Sequence, residues 1–227
     1  VQSCQQLGCL DVRLAASVLR RAVEAGDPAV VDLVAVALPL ARQGDAEVLD
    51  ACKAAAGAAG QAAAAEGVRL EQLTALARAG VGFEVQEVRG LVTVVAEAIA
   101  RMAAGKVVQP EALAEVLEIF AAGTAADRKV LLPALTHLMT FERSLSAGST
   151  LQAAIFALSA LDVTDDPAIQ DALLRLLDRL AFHDGYLTAE EQRAMKMVQR
   201  ALRWEHPELL PLLPPAARLR LQAGSKR

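Results

Sequence analysis

Residues 149–180 constrain the fold more than any other stretch, because they contain the pattern of one helical hairpin. Apolar residues recur at helical spacing in both halves, first Leu151, Ala154, Ile155 and Leu158, and then Ile169, Leu173, Leu176, Leu177 and Leu180. This spacing gives each helix one apolar stripe. Between the halves, Asp166 can accept the unpaired N–H groups of the second helix, and Pro167 suits its first position, where no N–H is needed. The stretch therefore predicts an architecture, and it contains no catalytic pattern.

Weaker copies of this hairpin recur along the chain. First helices are predicted at residues 70–79, 110–122, 151–161 and 190–203, and second helices begin near Glu84, Ala125, Pro167 and Pro207. If Leu70, Leu113, Leu151 and Gln192 are equivalent, the steps are 43, 38 and 41 residues. These steps exclude the tetratricopeptide period of about 34 residues and are close to the HEAT-like range of about 40 to 47.

One such hairpin cannot bury both its faces, so its neighbours must stack on it. We therefore predict an all-α protein, an α-solenoid of about five or six antiparallel helical hairpins with a period near 40 residues. One compact helical bundle is the alternative, because the first part of the chain does not follow the period cleanly.

The predicted organisation has four parts. Residues 1–10 form an irregular N-terminal strap, residues 11–69 form N-terminal helical hairpins with an Ala-rich segment, residues 70–222 form the helical-repeat array, and residues 223–227 form a basic tail. The Ala-rich segment, residues 52–66, has high helix propensity but almost no large side chain, which predicts a thin, close-packed helix. A flexible linker is the alternative.

Composition favours helices over a sheet. The chain is 54% hydrophobic but only 3% aromatic, so Ala, Leu and Val must supply its core. The longest apolar run, residues 29–41, is too short to span a bilayer, so we expect a soluble chain. Cys4, Cys9 and Cys52 do not have the spacing of a disulfide framework or a zinc knuckle and are predicted to be reduced, structural thiols.

Positive charge is concentrated at the C-terminal end. The net charge is -4, but residues 193–227 carry +6 and the preceding residues -10. In one helix, Arg193, Lys196, Arg200 and Arg203 fall within a narrow arc opposite Met195, Val198 and Leu202. The candidate phosphate-binding residues are Arg193, Lys196, Arg200, Arg203, Arg218, Arg220, Lys226 and Arg227. A solvated helix face followed by a basic tail is the alternative interpretation.

No set of nucleophile, base and orienting residue is recognisable, and no phosphate-binding or dinucleotide motif is present, so we predict no enzyme activity and no cofactor. We also predict no metal site. Residues 180–191 imitate a calcium loop, but its first and third positions, Leu180 and Phe182, offer no side-chain oxygen. Thr188 and Glu191 are instead predicted to form a capping box. His137, His183 and His206 are scattered.

The hairpins resemble the degenerate helical repeats of organellar proteins, namely the FAST-kinase-like, RAP-associated, octotricopeptide and heptatricopeptide families. The residues that carry this resemblance are Ala157, Leu158, Ala160, Leu161, Asp166, Leu173 and Leu176, with echoes at Leu117, Phe120, Gly123, Leu131, Leu132 and Leu135. It covers roughly residues 70–202. Members are typically organellar RNA-binding factors, and some are built into mitochondrial ribosomes. No basic and aromatic RAP-like segment follows Arg203 here.

The resemblance implies a non-catalytic structural subunit of an organellar ribonucleoprotein, with the mitochondrial ribosome as the expected particle. The acidic charge favours a subunit that bridges protein neighbours and contacts rRNA only through its basic C-terminal end. We expect other protein subunits as partners, with no membrane and no small-molecule substrate. The alternative function is a protein-only scaffold or adaptor that binds partner helices or peptides. A mitochondrial location is expected, with cytoplasm or plastid as alternatives.

Overall fold

The computed structural model describes residues 12–65, 67–105 and 108–223. Within these ranges the chain forms eleven α-helices and three short 3-10 helices, and it contains no strand. The prediction of an all-α protein is confirmed. The predicted strap, residues 1–10, lies outside the described residues, as does most of the predicted tail. By its contacts the chain divides into two compact units, Val1–Arg101 and Met102–Arg227.

The first unit is built from consecutive helices connected by short turns. These are α1 (Val12–Ala25), α2 (Val30–Arg42), α3 (Ala46–Ala64), α4 (Leu70–Gly80) and α5 (Gln86–Ala104). The first two turns each contain an aspartate that accepts a backbone hydrogen bond. Asp45 caps α3 by accepting a hydrogen bond from the Val48 N–H at 2.9 Å, and Asp27 accepts one from the Ala29 N–H at 2.9 Å. Helix α3 packs against α1 and α2, and α2 also packs against α4.

The Ala-rich segment is helical and close-packed, as predicted. It forms most of α3, in which Cys52, Ala55 and Ala59 are fully buried. Small side chains allow the neighbouring helices to approach, and a Cβ atom added at Gly60 would lie 3.8 Å from Leu91. Cys52 is a free thiol, and burial raises its pKa to about 11. Cys4 and Cys9 lie outside the described residues.

The second unit continues the helix-turn-helix pattern. Its helices are α6 (Pro110–Ala121), α7 (Ala125–Met139), α8 (Ala147–Ala160), α9 (Pro167–Ala181), α10 (Ala189–Trp204) and α11 (Pro215–Ala223), and its 3-10 helices are Glu142–Ser144, Leu161–Val163 and Pro207–Leu212. Helix α8 is central, because α6, α7, α9 and α10 all pack against it. Asp166 caps α9 by accepting a hydrogen bond from the Ala168 N–H at 2.9 Å, and Pro167 is the first residue of that helix, as predicted.

The single apolar stripe predicted for α8 does not describe this helix. Phe156 and Ala153, which are outside the predicted stripe, are fully buried, whereas Ile155 is only half-buried. The reason is the central position of α8, because a helix with neighbours on several sides is apolar nearly all round.

The chain after α10 also differs from a regular hairpin. A second helix begins at Pro207 as expected, but it is the 3-10 helix Pro207–Leu212, and α11 starts only at Pro215. Pro211 lacks the N–H that an α-helix would use, and Pro214 and Pro215 restrict the residues before them. No helix in the described ranges combines the length and the apolar character needed to cross a membrane.

Candidate functional site

The start of α10 is fixed by a capping box, as the sequence predicts. The Thr188 hydroxyl accepts a hydrogen bond from the Glu191 N–H at 3.2 Å, and the Glu191 carboxylate accepts one from the Thr188 N–H at 2.7 Å. Val198 and Leu202 are the buried residues of α10, which packs against α8 and against the 3-10 helix Pro207–Leu212. The cap and the buried pair together determine which side of α10 faces solvent.

Four predicted phosphate-binding residues lie on that solvent side. Arg193, Lys196, Arg200 and Arg203 are all exposed. Their spacing covers an arc of about 80° along roughly 15 Å of the helix. Among the described residues, none of the four side chains has an acidic partner or a hydrogen bond. We call this set the basic face of α10.

Among the other predicted phosphate-binding residues, Arg218 and Arg220 lie in α11 and are not part of the basic face of α10. Arg220 is engaged within the protein, because its guanidinium lies 3.7 Å from the Asp184 carboxylate, 3.5 Å from the Ala181 carbonyl oxygen and 4.7 Å from the centre of the Phe182 ring. It therefore connects α11 to the end of α9. Arg218 is half-buried in α11. Lys226 and Arg227 lie outside the described residues.

Two large apolar side chains on the same side of α10 were not predicted as site residues. Trp204, the only tryptophan of the chain, is 73% exposed, and Met197 is 59% exposed. Both fall within about 60° of Arg200 around the helix axis. The signal that could have found them is their spacing from the cations, since Met197 is three residues before Arg200 and Trp204 four residues after it.

A groove of about 930 Å³ runs beside α10 and opens toward solvent. Its apolar lining includes Ile155, Leu158, Met197 and Val198, and its polar lining includes Glu118, Arg128, Asp162, Arg200, Glu205 and His206. These residues come from α6, α7, α8, α10 and the adjoining turns, so the groove could not be read from local spacing. Arg200 belongs to both the groove and the basic face.

One wall of the groove is held by the half-buried Arg128. Its guanidinium donates to the Gly123 carbonyl oxygen at 2.6 Å and to the Asp162 carboxylate at 2.8 Å. These bonds connect α7 to the turn after α6 and to the 3-10 helix after α8. The guanidinium of Arg128 is thus paired within the fold. Arg200, which also lines the groove, has no acidic partner among the described residues.

The segment that imitates a calcium loop has a structural role instead. Phe182 stacks under Arg220, and Glu191 completes the cap of α10. Among the described residues, no group of three or more His, Cys, Asp or Glu side chains is placed to hold a metal ion. His137 lies edge-on to Phe141 at 5.4 Å, and His206 lies 3.3 Å from Glu208.

Comparisons with protein families, with curated proteins and with solved structures find no match to this chain.

Proposed function

We propose that this chain is a non-catalytic helical-repeat subunit of an organellar ribonucleoprotein, with the mitochondrial ribosome as the particle. In this function the acidic part of the chain bridges protein neighbours, and the basic face of α10 contacts rRNA. The observation that carries the proposal is the set of four exposed cations without acidic partners in the described chain, on one side of one helix.

The charge distribution supports a contact restricted to this end. Residues before Arg193 carry a net charge of -10, which repels a polyanion, whereas the segment from Arg193 onward carries +6. Phosphate groups would therefore be attracted to the C-terminal segment only. A subunit with this distribution has one orientation toward RNA and leaves its remaining surface for protein contacts.

We further propose that the helices form a solenoid of stacked hairpins. Helix packing within each unit supports this arrangement, because helices two apart in sequence pack against each other. In the second unit α6 packs on α8 and α8 on α10, while α7 packs on α9 and α9 on α11. Stacking of like helices on like helices is the contact pattern of helical repeats.

The proposed RNA contact can be tested by removing the charge of the basic face. In the quadruple variant Arg193→Gln, Lys196→Gln, Arg200→Gln and Arg203→Gln, helix propensity changes little and the buried Val198 and Leu202 remain, so the fold should persist. If about three phosphate contacts are lost, the slope of log K against log salt for single-stranded RNA should flatten by roughly 2. Fluorescence anisotropy of a labelled RNA fragment at several salt concentrations measures this slope.

A matched control removes the same amount of charge elsewhere. Arg89, Arg101, Lys129 and Arg143 are exposed and lie on other helices or turns, so their combined replacement by Gln should leave the slope nearly unchanged. Equal slopes for the wild type and the basic-face variant would show that these four side chains make no phosphate contact. If the slope flattens equally in both quadruple variants, the effect comes from the net charge alone, and this result would also contradict the proposal.

The groove favours one other function, a protein-only adaptor. Its partly apolar lining and its volume of about 930 Å³ would suit a partner helix or an extended peptide. In that case the native complex would contain protein alone.

A further inference from the structure

We propose that the basic face of α10 is specific for single-stranded RNA, with Trp204 as the platform on which one unpaired base stacks. This inference depends on the proposed RNA contact and adds the kind of RNA that is bound. It comes from the position of the two exposed apolar side chains among the cations.

The indole ring of Trp204 lies mostly outside the packed interior of the protein. Its relative exposure is 73%, although a tryptophan ring carries a large apolar surface. Met197, one groove-lining residue of the same helix, is 59% exposed. Large apolar side chains exposed together, with polar residues around them, mark interaction surfaces.

The position of Trp204 on the helix suits combined contact with a base and its phosphates. Trp204 follows Arg200 by four residues, which places the two side chains about 40° apart around the axis and about 6 Å apart along it. Arg203 is the adjacent residue, and neither arginine has an acidic partner among the described residues. A base on the indole ring would thus have guanidinium groups within reach of the phosphates on either side of it.

This arrangement favours a single strand over a duplex. In an A-form RNA helix the bases are stacked on one another and only the phosphates, the 2′-hydroxyl groups and the base edges are accessible. Duplex RNA could engage the cations but would offer no base face to Trp204. An acidic protein surface would also satisfy the cations, but a single strand carries a planar base beside every phosphate, so single-stranded RNA accounts for both features with one repeating unit.

The single tryptophan makes the proposal directly measurable, because intrinsic fluorescence reports on Trp204 alone. The probes are a uridine oligonucleotide of about 12 nucleotides, a duplex RNA of the same length and an oligoglutamate peptide. We expect the single strand to quench the fluorescence and the duplex to leave it nearly unchanged. In anisotropy titrations, Trp204→Ala should weaken single-strand binding roughly tenfold, with the salt slope and the duplex affinity preserved.

Conservative and neighbouring variants separate stacking from structure. Trp204→Phe retains an aromatic ring and should recover most of the single-strand affinity. Leu14→Ala removes another exposed apolar side chain, from α1 of the first unit, and should have no effect. Since Trp204 is largely exposed, its replacement should leave the unfolding midpoint almost unchanged, and circular dichroism checks this.

The failure of this inference can be distinguished from the failure of the proposed function. If Trp204→Ala binds the single strand like wild type while the quadruple Gln variant does not, the RNA contact stands and the stacking platform is wrong. If neither RNA binds at low salt, both are wrong. Stronger quenching by oligoglutamate than by the oligonucleotide would overturn the choice of RNA in favour of an acidic protein partner.

Discussion

Glu191 shows how one carboxylate can order two helices. It accepts a hydrogen bond from the Thr188 N–H at 2.7 Å in the cap of α10, and its other oxygen would lie 3.1 Å from a Cβ atom on Gly148, in the first turn of α8. Hydrogen bonds from Thr188 lower the pKa of Glu191, and the electrostatic effect of the nearby His183 and a hydrogen bond from the Gly148 N–H lower it further. The capping box is predictable because its signal spans three residues. The contact with Gly148 cannot be predicted from the sequence, because it depends on how α8 and α10 pack.

A lowered pKa in the folded protein has a defined effect on stability. The Glu191 carboxylate stabilises the fold above its unfolded pKa, near 4.3, and this contribution is lost as the pH falls through its lower folded value. Urea denaturation at pH 7 and at about pH 3.5 should therefore show a larger loss of stability for wild type than for Glu191→Gln. Glu190→Gln removes a charge from the same helical turn and serves as the control. Equal losses for wild type and Glu191→Gln would contradict the assigned role.

At the scale of single helices, the sequence predicts where a helix begins only where its capping residues can be recognised. The start of α9 at Pro167 is predicted correctly because Asp166 and Pro167 specify it locally. The apolar pattern predicts that α8 starts at Leu151, the first large apolar residue, but the helix begins at Ala147 because the Ser146 hydroxyl accepts a hydrogen bond from the Ser149 N–H at 3.0 Å. The sequence predicts a helix from about Pro207 but not its 3-10 form, since proline limits an α-helix without specifying which alternative replaces it.

Close approach of helices in the first unit depends on Gly80. A Cβ atom there would lie 2.7 Å from the Val92 Cγ2 atom and 3.7 Å from Leu38, and a β-branched valine has little freedom to move away. Gly80→Ala should therefore destabilise the protein by about 1–3 kcal/mol. Gly57→Ala is the matched control, because Gly57 lies in α3 with no atom within 4 Å of an added Cβ, and it should stabilise by about 0.5–1 kcal/mol. Urea denaturation of both variants measures these changes.

The same variant tests the proposed stacking of hairpins. In a helical-repeat array, stability is set by each repeat and its nearest neighbours. Hydrogen exchange in Gly80→Ala should therefore accelerate in α2, α4 and α5 and remain nearly unchanged in α8 and α9. A uniform acceleration across all described helices would indicate one cooperative bundle.

For the whole molecule, the distribution of charge could be predicted from the sequence, but the groove beside α10 could not be predicted. The excess of positive charge from Arg193 onward is a property of composition, and the common face of Arg193 and Arg203 follows from helical periodicity. The groove combines side chains from residues 118 to 206, so it requires knowledge of which helices pack together. Helical spacing places Trp204 beside Arg200 and opposite the apolar face of α10, but its exposure of 73% depends on how α10 packs and could not be predicted from spacing.

The most direct test of the proposed function is the composition of the native complex. Purification of the complex through this chain, followed by quantification and sequencing of its nucleic acid, should yield ribosomal RNA in fixed proportion to protein. Because many contacts would hold a ribosomal subunit, this RNA should remain after a high-salt wash, and the complex should be recovered from mitochondria. A stable native complex that contains protein but no nucleic acid would contradict the proposal and leave the protein-only adaptor as the function.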